Sequence, residues 1–133
     1  MRFTLRLSLI LAMVVFAAPA TAAPATPYFY DSTSFQVKPS GPIDLSGTGS
    51  WLIARLRWRS WGPRAAVASG LFSTNTCKPN CAAGHFASQK ATVVFSGVAR
   101  CQGKQVFTNV RVFPASEAVF TQSFRTLGYL QRC

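Results

Sequence analysis

Between residues 51 and 59 the chain alternates with a period of two: Leu52, Ala54, Leu56 and Trp58 take one side, and Ile53, Arg55, Arg57 and Arg59 take the other. An extended strand sends successive side chains to opposite faces, and helical spacing fits this run poorly. Further runs of strand composition follow at short intervals. Ser60-Trp61-Gly62-Pro63 turns the chain into a strand of small residues at 65–72. Residues 91–100 have the Thr-Val-Val-Phe composition of another strand, and Cys101-Gln102-Gly103-Lys104 offers a hairpin turn into the β-rich run 105–113. Residues 28–30 read as a short first strand, set off from the rest by the breaker cluster Lys38-Pro39-Ser40-Gly41-Pro42. Residues 115–124 read as a short helix or an irregular segment, and 128–132 as a returning last strand. Several short strands divided by Gly and Pro turns, with no long face of period 3.6, predict an all-β fold: a small disulfide-bonded β-sandwich or barrel, with at most one short helix.

The chain opens differently. Arg2 and Arg6 precede an apolar run at residues 7–18, which ends in small residues and Ala20-Thr21-Ala22. These are the three parts of a secretory signal peptide, and the run is short for a membrane span, which takes roughly 20 apolar residues. Cleavage is expected after Ala22, with Ala23 as the near alternative; the other reading is an uncleaved helical anchor. The organisation that follows is a signal peptide at 1–22, an N-terminal leader with a first short strand at 23–50, and a β core at 51–133 that forms one domain with the preceding segment. No later stretch reaches membrane length, so the mature chain is expected to be soluble, in an extracellular or cell-envelope location.

Removing Arg2 and Arg6 from the 14 basic residues leaves 12 against Asp31, Asp44 and Glu117, a formal charge of +9 on the exported part. Such a charge draws in polyanions and says nothing about fold. Outside a cell the candidate partners are anionic envelope polymers, anionic lipid headgroups, nucleic acid and acidic proteins. A basic surface that merely keeps the protein in solution has the same composition.

Cys77, Cys81, Cys101 and Cys133 all lie in the exported part, and an even count in a small exported domain reads as a disulfide framework. Four cysteines allow three pairings. The local pair Cys77 with Cys81, leaving Cys101 with Cys133, is the preferred one, though spacing alone does not choose.

The sharpest candidate site is the ladder Arg55, Arg57, Arg59, whose guanidinium groups would project from one strand face at roughly 7 Å intervals. Repeated phosphates on a polymer would match it, each held in a bidentate fork; the plainer reading is a solvated face with Arg stems covering apolar surface. Trp51 and Trp61 share the parity of the arginines and are expected beside them, available to stack a nucleobase or a sugar ring, whereas Trp58 falls on the core side. Cys77, Cys81 and His85 recur every four residues, but Pro79 and Gly84 argue against the helix that would bring them together, and no metal site or cofactor is expected. His85 is the only histidine, and no G-x-S-x-G elbow or Gly-rich phosphate loop accompanies it. No catalytic residue is assigned, and the expectation is a non-enzymatic domain; a small hydrolase would have to use His85 as its base.

The segment Leu56-Arg57-Trp58-Arg59-Ser60-Trp61-Gly62, the small residues that run on to Gly70, and the loop Cys77-Lys78-Pro79-Asn80-Cys81-Ala82-Ala83-Gly84 are followed by Cys101-Gln102-Gly103. In that order they resemble a group of small secreted actinobacterial proteins of unassigned function, which combine W-x-x-W-G, C-x-P-x-C-A-x-G and C-x-G before a β-rich run. The resemblance covers residues 52–113 and implies an exported single domain. It brings no catalytic or ligand residue, and the three arginines are not part of it.

The reading that follows is a secreted, non-enzymatic β domain that binds anionic extracellular or cell-envelope polymers through Arg55, Arg57 and Arg59. The alternative is a carbohydrate-binding module using Trp51 and Trp61.

Overall fold

A computed structural model describes residues 18–133. The signal expected at the start of the chain falls almost wholly outside them. Among the described residues no helix is long and apolar enough to cross a membrane.

Eight strands follow in chain order: β1 (Phe29–Tyr30), β2 (Phe35–Gln36), β3 (Ile43–Asp44), β4 (Trp51–Trp61), β5 (Ala65–Asn75), β6 (Phe86–Cys101), β7 (Lys104–Pro114) and β8 (Phe120–Ser123). The last six form one antiparallel sheet in the order β3-β4-β5-β6-β7-β8, and β1 pairs with β2 in a small second sheet. Each neighbour in the large sheet is the next strand in sequence, the arrangement that short turns between antiparallel strands produce. The β6–β7 hairpin turns at Gln102 and Gly103, both at positive φ (48° and 80°), as a two-residue turn matched to strand twist requires.

The sheet is curled far enough for side chains to bridge its two ends. Trp51 on β4 packs edge-on to Phe120 on β8, ring centroids 4.8 Å apart. The Tyr129 hydroxyl closes the gap further along: it accepts from the Asp44 N–H and donates to the Asp44 carbonyl, each at 3.0 Å. β1 lies over the concave side, where Phe29 meets Phe95, Phe124 and Tyr129 at 5.2–5.6 Å. Backbone bonds from Tyr28 N to the Gln105 carbonyl and from Phe107 N to the Tyr28 carbonyl hold that segment against β7. Phe95 sits at the centre of the core, with Trp58, Trp61, Phe107 and Phe124 around it.

The fold is all-β and curled, with bridges Cys77–Cys81 and Cys101–Cys133. In the C-terminal part the irregular alternative holds for residues 115–119, and the expected last strand is corrected. No described residue is helical: residues 115–119 are irregular and 120–123 form β8. Residues 128–132 are not a strand but part of a series of tight turns, with bonds from Leu127 N to the Ser123 carbonyl, Gly128 N to Arg125 and Cys133 N to Leu130. Aromatic packing explains the difference, because Phe124, Tyr129 and Leu130 are drawn into the core and the cysteine bridge ties the end to the β6–β7 turn. A flat strand could not place all three inward.

Candidate basic face

The alternation along β4 does not survive intact. Ile53 and Leu56 are both buried although they differ in parity. The register explains it: Ala54 pairs with Leu71 and Arg57 with Ser69, so Arg55 and Leu56 together oppose Gly70 alone. This is a β-bulge, with Arg55 at φ 53°. Gly70 permits it, since a Cβ there would lie 2.9 Å from Leu56 Cδ2 and 3.0 Å from the Ala54 carbonyl oxygen. A second shift follows between Trp58 and Ser60.

Two bulges in eleven residues put Ile53, Leu56 and all three tryptophans of β4 on the concave side, while Leu52, between Trp51 and Ile53, faces the other way. Trp61 packs at 4.6 Å on Trp58 and 5.4 Å on Phe107, and its Nε1 donates to the Pro27 carbonyl at 2.9 Å. Trp58 donates likewise to Pro39 at 2.7 Å. Trp51 shares the face of Ile53 and is 38% exposed at the mouth of the curled sheet. The expectation that Trp51 and Trp61 stand beside the arginines is therefore corrected: strict parity placed them there, and the bulges turn them away.

Arg55, Arg57 and Arg59 stay together. All three are exposed and line one open depression of about 540 Å³ on the convex face, with Ser69, Gly70 and Thr92 among its other walls. Lys90 and Phe113 line it too. Arg111 joins the same face by register, because β5 pairs Val67 with Val94 and β6 pairs Val94 with Arg111, while Val110 and Val112 on either side are buried. Its guanidinium carbon lies 5.2 Å from the Phe113 ring centre, a cation–π contact. The face thus carries five cations. Sequence reasoning missed Lys90, Arg111 and Phe113, although the alternation of Arg111 with buried valines was a readable signal for one of them.

The aspartates are engaged elsewhere. Partial burial pushes the Asp31 pKa up, but hydrogen bonds from the Thr33 hydroxyl and from the Ser34 and Thr33 backbone outweigh it and hold the carboxyl at about 2. Asp44 behaves alike: partial burial raises its pKa, and bonds from Ser46 and the Gly49 N–H bring it below the usual value. Both carboxylates are spent on the turns that they close. Glu117 lies with Trp51, Thr74 and Phe120 around a separate cleft at the sheet's mouth. Two exposed charges at a separation on the order of 7 Å repel by roughly 0.6 kcal/mol in water, small enough for the free protein to tolerate.

Cys77 and Cys81 are bonded to each other, so their spacing with His85 assembles no ligand set, and no metal-holding cluster occurs among the described residues. His85 is exposed; its N–H and carbonyl bond to Thr76 across the loop that carries the bridge. In comparison with known proteins, no family model, no curated protein and no solved structure matches this chain.

Proposed function

We propose that the protein is a secreted, non-enzymatic β domain that binds an anionic extracellular or cell-envelope polymer through the convex face of its sheet. The observation that carries this reading is the gathering of Arg55, Arg57, Arg59, Lys90 and Arg111 on one face while Asp31 and Asp44 serve their own turns. A face of one sign, unneutralised from within, raises the local concentration of polyanions. The two disulfides are consistent with an oxidising destination.

The test is binding of the oxidised protein to a phosphate-rich envelope polymer and to a single-stranded DNA oligomer across a salt series. With about five phosphates engaged, affinity for the oligomer falls on the order of 100-fold between about 50 and about 200 mM salt; an Arg55→Ala, Arg57→Ala, Arg59→Ala triple variant keeps about two contacts and loses under about tenfold. Absence of binding, or binding that the triple variant leaves unchanged, refutes the reading.

The carbohydrate reading narrows to Trp51, because Trp61 is closed in by Pro27, Trp58 and Phe107. Trp51, Thr74, Glu117 and Phe120 line an open cleft of about 400 Å³ that combines an aromatic face with a hydroxyl and a carboxylate. Neutral-polysaccharide binding that is indifferent to salt and lost in Trp51→Ala favours it.

A further inference from the structure

The convex face is a trough with unlike walls. Register aligns Arg57 on β4 with Ser69 on β5, Thr92 on β6 and Phe113 on β7. Three strand spacings separate the first from the last, about 14 Å. Level with Arg57 and Phe113 the floor is formed by Ser69, Gly70 and Thr92, and the larger Leu71 and Lys90 line the trough one step along. One wall is the arginine row and the other is the partly buried Phe113 ring with the Arg111 guanidinium against it. Phe113 does not serve the core, which takes Val110 and Val112 from the same strand. An aromatic ring on the convex side, between cations and facing a line of guanidinium groups, has the two components with which proteins hold unpaired bases: charge for the backbone and a ring for the base.

Building on the polyanion reading above, we propose that the polymer this face takes is a single-stranded nucleic acid. Phosphates lie along Arg55, Arg57 and Arg59, which line the trough together, and a base stacks on Phe113. Level with Phe113 the floor admits a strand because Ser69, Gly70 and Thr92 are small. A duplex offers Phe113 no free base face, so it binds through the arginines alone. Base identity is read weakly, since every base has a stacking face and no buried polar group lines the trough to select one.

Fluorescence anisotropy with two probes of equal length and charge separates the parts of this inference: an oligothymidylate, and the same deoxyribose-phosphate chain lacking bases. The native protein should bind the oligothymidylate about tenfold or more tightly than the abasic chain. Phe113→Leu, which retains apolar bulk without a ring, should erase that difference and leave abasic binding as it was, whereas Phe113→Trp keeps the difference. Arg57→Ala should weaken both probes equally. If the native protein binds both probes alike, base stacking is refuted and the polyanion reading stands. Should it bind neither probe nor the envelope polymer, both readings fall. Equal weakening of both probes by Phe113→Leu, with a lowered melting temperature, shows that Phe113 only supports the sheet and overturns the proposal.

Discussion

Gly70→Ala tests the joint between fold and site, because Gly70 is where β5 makes room for the bulge that carries Arg55. Two opposing effects set the magnitude. Alanine in a strand interior is favoured over glycine by about 0.5–1 kcal/mol, and Gly70 is not at positive φ, so its backbone does not resist the change. Against this, the new methyl meets Leu56 Cδ2 at 2.9 Å and the Ala54 carbonyl oxygen at 3.0 Å. The leucine can swing aside, but the carbonyl can move only by shifting the β4–β5 register. Overpacking of this kind costs about 1–3 kcal/mol, so the net result is a loss centred near about 1 kcal/mol and no larger than about 2.5 kcal/mol. Urea unfolding should show a lower midpoint at unchanged slope, with a melting temperature lower by on the order of 5 °C. A cycle with Leu56→Ala divides the two contacts: the glycine change should cost less once Cδ2 is gone, and the remainder belongs to the carbonyl. A Gly70→Ala protein more stable than the native one by about 0.5–1 kcal/mol, the backbone gain alone with no steric cost, would refute the bulge and with it the account of how the arginines share a face.

Two further outcomes concern the turns and bridges. Cys101–Cys133, with 32 residues of separation, should contribute about 3.7 kcal/mol by loop closure, and Cys77–Cys81, with a separation of 4, about 2 kcal/mol; unfolding of the paired alanine variants under oxidising conditions should rank them in that order. Asp31, held at about 2 against an ordinary 3.8, contributes stability that is full above about pH 4 and is lost as pH falls through the folded value. Asp31→Asn should therefore be less stable than the native protein at about pH 6, and the two should converge at about pH 2; a constant gap across that window would contradict the assignment.

The cysteines show one reason that some features are legible before folding. That four cysteines form two bridges was legible from their even count, whereas the pairing, preferred as Cys77 with Cys81 and Cys101 with Cys133, is given by the structure. The β6–β7 turn was legible from Gly103, which takes positive φ without steric cost, a demand made within four residues; Gln102 adopts positive φ beside it, uncommon for a residue with a Cβ. Expectations failed where distant packing overruled local pattern. Residues 128–132 have strand-like composition, yet the aromatic core takes Tyr129 and Leu130 as part of a turn series. Trp51 and Trp61 were misplaced because a bulge needs both strands to exist: Arg55 and Leu56 oppose Gly70, fifteen residues from Arg55, only once β4 and β5 pair.

What the amino-acid order determined by itself is the strand pattern, the turns, the cross-linking framework and the excess of positive charge, all of which depend on residues near one another or on simple counts. Tertiary structure alone decided which side chains share a surface. Lys90, Arg111 and Phe113 reach the arginine row from strands up to 56 residues away from Arg57, through a register set by four paired strands. Side-chain direction in a sheet has a period of two, so each bulge reverses the faces beyond it, and no local reading of β4 could count the bulges before its partner was in place.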